Sequence, residues 1–90
     1  MPHWEYKTVF YAIEGKYTHS LRFWADASGK RYGPEARSSF LGGISRQLSQ
    51  FEGALQELDR EGWEVVSMSI WTAFPGTRQG CALLRRASED

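Results

Sequence analysis

Cysteine is almost missing from this 90-residue chain: Cys81 stands alone, so no disulfide can form within it. A secreted domain this small usually carries several paired cysteines, so the expected setting is a reducing cytoplasm. Histidine is nearly as scarce. His3 and His19 lie sixteen positions apart and do not form the paired ligand spacing of a zinc site. Neither stands in a spacing that marks the base of a thiol nucleophile, so Cys81 reads as an inert, buried thiol. The expected catalytic residues, metal ligands and cofactors are therefore none.

Net charge is absent too, since eleven basic residues offset eleven acidic ones. Without a long-range positive field, nucleic acid is disfavoured as a partner, although a local basic patch stays open. No apolar run approaches the roughly 18–20 residues of a membrane span, and Met1-Pro2-His3-Trp4-Glu5 lacks the basic-then-apolar order of a signal peptide. Gly29-Lys30 and Gly42-Gly43 lack the spacing of a phosphate loop or a dinucleotide fingerprint.

What remains is the composition of a folded globule, 41% hydrophobic and 24% charged. A chain of this length buries only about 60–65% of the surface its unfolded form exposes. With disulfides and metals set aside, association is the remaining way to add to a thin core.

Glu5–Ile13 is rich in β-branched and aromatic residues and reads as a strand that is apolar on both faces. Glu14-Gly15-Lys16 reads as a turn, and Tyr17–Trp24 as the second arm of a hairpin. Residues 25–43, broken by Gly29, Gly33-Pro34 and Gly42-Gly43, read as a long loop with room for a helical turn at Pro34–Phe40. Ile44, Leu48, Phe51, Leu55 and Leu58 form one stripe of an amphipathic helix over Ile44–Glu61, with Gln47 and Gln50 on its wet side. Gly62 closes it. Trp63–Thr72 is the next strand, with Val66, Met68 and Ile70 on one face and Val65, Ser67, Ser69 and Trp71 on the other. Phe74–Gly80 reads as a turn, Cys81–Arg86 as the last strand and Ala87–Asp90 as a polar tail. The expectation is one α+β domain over residues 1–90: an antiparallel sheet of three to four strands with one helix on one face.

Trp4-Glu5-Tyr6-Lys7, the junction Glu61-Gly62-Trp63-Glu64-Val65-Val66 and a last strand with Leu83-Leu84-Arg85-Arg86 resemble a family of small, mostly bacterial proteins of unknown function. The likeness covers Trp4–Val9 and Leu48–Arg86. It implies a strand–helix–hairpin core and a bacterial cytoplasmic setting, and it implies no reaction. The segment 15–43 is longer than that family's usual pattern.

Two placements of aromatics bear on function. Arg22, Trp24 and Arg78 could clamp an anion or a nucleotide, with Gly76–Gly80 offering backbone amides, although aromatics more often fill a second sheet face and this loop is more simply a hairpin turn. One helix covers one face of a sheet, so Tyr6, Phe10, Ser67, Ser69 and Trp71 should line the other as a candidate interface. The expected function is a homo-oligomeric binding or scaffold protein without catalysis, its partner a second copy of itself. The alternatives are a module sensing a nucleotide or small metabolite at a subunit boundary, and an enzyme whose site is shared between subunits.

Overall fold

The computed structural model describes residues 3–15, 20–37, 43–73 and 77–88; for 43–46, 72, 73, 77 and 78 only the backbone is described. The elements are β1 (His3–Glu14), β2 (Leu21–Asp26), β3 (Arg31–Arg37), α1 (Gly43–Arg60), β4 (Glu64–Ala73) and β5 (Thr77–Ser88). The strands form one antiparallel sheet in the order β3-β2-β1-β5-β4. The chain is thus α+β with an antiparallel sheet, and the sheet has five strands, not three to four.

Strand β1 is central, flanked by β2 and β5. Of its two apolar faces, one packs under the helix through Val9 and Tyr11, while Tyr6 and Phe10 on the other stay exposed. The additional strand is β3, within the segment expected to be a long loop. Its Gly33 and Pro34 look like breakers in sequence, yet both suit this position. An edge strand tolerates proline, whose missing N–H can face away from the ladder. Gly33 takes φ +75°, and a β-carbon there would lie 2.4 Å from the backbone nitrogen of Ala54. Across the same contact, a β-carbon on Gly53 would lie 2.4 Å from Cδ of Pro34. The helix therefore lies with its backbone directly against β3, which only glycine on both sides permits.

The buried stripe of α1 differs from the one periodicity suggests. Phe51 and Leu58 are buried, Leu48 and Leu55 only partly so, and Gln47, Gln50 and Ala54 turn inward. The wet-side placement of Gln47 and Gln50 is corrected. Gln50 tolerates burial because its oxygen accepts from the Tyr11 hydroxyl at 2.8 Å while its amide donates to the carbonyls of Arg22 and Pro34. Above the sheet Trp24 packs against Tyr11 and Phe51, with centroids 5.3 and 4.5 Å away, and Val9, Tyr32, Ala82 and Leu84 complete the floor. The Ile44 side chain, Tyr17–His19 and the turn at Phe74–Gly76 lie outside the described residues.

The helix ends as glycine chemistry requires. Gly62 has φ 89°, its N–H donates to the Asp59 carbonyl, and the Trp63 N–H donates to the Leu58 carbonyl. These two bonds make a Schellman close, and Trp63 folds back into the core beside Leu58. Two further expectations need correcting. Thr77–Gly80 is not turn but the start of β5, paired with Ala73–Ile70. A bulge adds Val66 between Val65 and Ser67, so Val65 pairs with the buried Leu84 and shares the helix-side face with Met68. Among the described residues no helix is long and apolar enough to cross a membrane.

Candidate interface

Directly paired residues on antiparallel strands point to the same face, so the register sorts the candidate residues. The rows Tyr6–Arg85–Glu64, Thr8–Leu83–Ser67 and Phe10–Cys81–Ser69, together with the pair Gln79–Trp71, all lie away from the helix. Tyr6, Phe10, Ser67, Ser69 and Trp71 are therefore on one face, and all five are exposed. Tyr6 is 61% exposed, Trp71 46% and Phe10 40%. Trp4 joins them at one end, where the Arg85 guanidinium lies 4.2 Å from its ring centroid while bonding Glu64. Farther across this face Phe23 is buried, with the Arg31 guanidinium 3.8 Å over its ring.

Strand β4 adds apolar surface that the face argument does not anticipate. Val65, Val66 and Met68 are each more than two-fifths exposed, although Val65 and Met68 sit on the helix side. The reason is the position of α1. It presses on β3 and β2 and stops short of β4, leaving an open groove of about 390 Å³ lined by Leu55, Gln56, Asp59, Trp63, Glu64 and Val65.

The anion-clamp candidates do not come together. Trp24 is 0% exposed inside the core, so its ring presents no face to a ligand. Arg22 is partly buried and pairs in register with Ala36 of β3 and Ile13 of β1. Arg78 stands opposite Thr72 in the extended backbone of β5, and its side chain lies outside the described residues. An extended strand lacks the turn conformation that aims successive amides at one anion.

A second cluster, unforeseen in the sequence, links β1, β2, β3 and the helix end. Lys7 donates to the Tyr32 hydroxyl at 2.6 Å, which in turn donates to Asp26 at 2.9 Å. Asp26 also accepts from the Ser28 hydroxyl and from the N–H groups of Ser28 and Lys30. Burial pushes the Asp26 carboxyl up, but the Ser28 and Tyr32 hydroxyls and these amides outweigh it and hold it at about 2. Lys7 and Arg86 lie 4.8 and 4.4 Å from the Trp63 ring centroid. Arg86 also bonds Glu5 and the Glu61 carbonyl, and Lys30 bonds Glu61. Each cation is thus matched to a carboxylate. The cluster ties the turn after β2 to the end of α1, and its groups are engaged with one another. The only sequence signal for it is Asp26-x-Ser28-Gly29, a turn in which an aspartate bonds the backbone two residues on.

Cys81 is half-buried beside Phe10 and Ser69. His3 lies seven residues from Phe10 along β1, roughly 23 Å at 3.3 Å per residue, and so cannot serve that thiol within one copy. Among the described residues no three His, Cys, Asp or Glu side chains converge on a metal position. Compared with family models, curated proteins and solved structures, the chain matches none.

Proposed function

We propose that this chain is a small self-associating binding or scaffold protein, working in the cytoplasm without catalytic chemistry of its own. The observation that carries the reading is β4, an outer strand on which Val65, Val66, Met68 and Trp71 are 41%, 47%, 43% and 46% exposed. Apolar side chains exposed on both faces of one outer strand mark an interface along that strand. Covering the exposed half of each side chain is worth ~1 kcal/mol, or ~8 kcal/mol across two copies. Association costs about 4–15 kcal/mol, so apolar burial alone nets at best about 4 kcal/mol, a Kd of ~1 mM. Backbone hydrogen bonds along the strand must supply the rest of a micromolar assembly. Sedimentation velocity tests it: the parent chain should be a dimer or larger at high micromolar concentration. Trp71→Glu should shift it to monomer, while Glu57→Lys, on the exposed side of α1, should not. A parent chain that stays monomeric and soluble would overturn the proposal.

The groove beside β4 favours a second reading, in which a small metabolite binds at a subunit boundary. Leu55, Trp63 and Val65 give it an apolar wall, and Asp59 gives it negative charge, while the Glu64 carboxylate beside it is bonded to Arg85. That charge suits a neutral or cationic ligand and opposes a nucleotide phosphate. A thermal-shift screen decides it, since a ligand at a hundred times its Kd adds about 2.7 kcal/mol of stability.

A further inference from the structure

The two rims of the sheet are built differently. Strand β3 is short, carries Arg31, Pro34, Glu35 and Arg37, and is backed by the helix. Prolines, charges and covering helices are the devices that keep an edge from pairing with another strand. Strand β4 has no proline and no helix laid over it, and its one bulge, at Val66, lies near its start. Its ten residues, Glu64-Val65-Val66-Ser67-Met68-Ser69-Ile70-Trp71-Thr72-Ala73, hold one charge at the very start, and that charge is bound to Arg85. Among the described residues only β5 pairs with β4, so alternate N–H and C=O groups along its other side face outward.

We infer that β4 pairs antiparallel with β4 of a second copy, about a two-fold axis at Ser69, joining two five-stranded sheets into one of ten. This rests on the self-association reading and gives it a geometry. The occupant follows from the strand's own pattern. In a continuous antiparallel sheet, directly opposed residues share a face, so only registers that set odd against odd and even against even numbers are allowed beyond the bulge. An axis at Ser69 sets Met68 against Ile70 of the second copy on the helix side. On the far side it sets Trp71 against Ser67, a large ring beside a small side chain. Moving the axis to Met68 would set Trp71 against Val65, which the bulge has turned to the opposite face, whereas the axis at Ser69 leaves that mismatch to the small Ala73 at the strand end. Charge agrees as well. With the axis at Ser69 the two Glu64 residues lie ten positions apart, roughly 33 Å at 3.3 Å per residue. The same operation on β3 about Pro34 would set Arg31 against Arg37, a repulsion between like charges. Strand β4 is thus compatible with its own copy where β3 is not.

Three changes in the full chain, read by sedimentation velocity and non-reducing electrophoresis, test the geometry. Met68→Lys puts a charge opposite Ile70 on the helix side and should weaken the dimer at least about tenfold. Phe10→Glu, on β1, lies off this edge and should change Kd by less than about threefold. Ser69→Cys, made with Cys81→Ser because Cys81 pairs with Ser69 within one copy, should cross-link on oxidation. Residues on the axis have Cα atoms about 4.5–5.5 Å apart, inside disulfide reach. Ser67→Cys in the same background should stay uncrosslinked, because its symmetry mate is about four residues, or roughly 13 Å, away. Circular dichroism confirms that each variant is folded, and the cross-linking arm stands without Met68→Lys. A dimer that resists Met68→Lys, dissociates with Phe10→Glu and gives no Ser69→Cys cross-link overturns the edge pairing in favour of stacked faces, with self-association intact. A parent chain that is monomeric overturns both, and leaves β4 to a strand of another protein.

Discussion

At one rim of the sheet, β3 lies under the helix with Gly33 against Ala54 and Pro34 against Gly53. At the other, β4 carries Val65, Val66, Met68 and Trp71 into solvent. The first rim is closed by backbone on backbone, a contact that leaves no room for a single added carbon. The second is apolar, rich in β-branched residues and open. A helix of 18 residues cannot cover five strands, and its glycine contact fixes which strands it covers. Closure of the β3 rim and exposure of the β4 rim are therefore one event: anchoring α1 by Gly33 and Gly53 draws it away from β4.

The sharpest way to break this arrangement is Gly33→Ala. The new carbon would collide with the Ala54 backbone at 2.4 Å and would sit at φ +75°, where a side chain is strained. Overpacking and backbone strain together should cost about 2–4 kcal/mol, read as a fall in denaturation midpoint. If stability is unchanged, the helix does not sit where it is described.

The polar cluster holds the same rim at its end, and acid should loosen it. The Asp26 carboxyl titrates at about 2 in the folded chain, below its ordinary value of 3.8. A depressed carboxylate contributes stability that is fully present above the unfolded value and is lost as pH falls through the folded one. Melting temperature should therefore drop between about pH 4 and pH 2. Asp26→Asn should cost about 1–3 kcal/mol at neutral pH, because its hydrogen-bond partners are weakened or stranded, and its loss of stability across that acid window should be smaller. Equal acid sensitivity in both proteins would place the effect elsewhere.

Much of the architecture is legible in the residues, and the places where it is not share a cause. The helix and its glycine close follow from a 3.6-residue pattern and from Gly62. Strand β1 follows from β-branched and aromatic content. Strand β3 does not, because Gly33 and Pro34 are local breakers whose use depends on a helix that arrives about twenty residues later. Gln47 and Gln50 look like wet-side residues because the carbonyls and the hydroxyl that receive Gln50 lie on other elements. The Val66 bulge escapes an alternation argument altogether, since one inserted residue swaps the faces of all residues before it. The far-face aromatics are readable from alternation alone. The exposure of Val65 and Met68 is not, since it depends on where α1 lands.

Gly62→Ala probes the hinge between the two rims, and a smaller effect is expected there. The residue has φ 89°, but a β-carbon would meet only Cδ and Cγ of Arg86, at 3.3 and 3.6 Å, the flexible stem of a side chain that can shift. The cost should be about 1 kcal/mol, from the left-handed backbone alone. A loss as large as that of Gly33→Ala would mean that the Arg86 stack on Trp63 cannot move.

Met68→Thr on the open rim should change the stability of the monomer least of all, by less than about 0.5 kcal/mol. Two opposing terms support that expectation. Threonine suits a strand better than methionine does, which offsets the smaller apolar area it buries at a site already 43% exposed. The measurement is a denaturant midpoint taken at low micromolar protein, where self-association is minor. Repeating it at high concentration sharpens the comparison between rims. If β4 is covered by a second copy, the parent gains stability with concentration by mass action and Met68→Thr gains less. Gly33→Ala, in contrast, should lose the same amount at both concentrations, because the rim it damages is closed within the chain. A Met68→Thr variant that is markedly destabilised when dilute would show that Met68 is packed inside the monomer, and the contrast between the rims would fail at its open side.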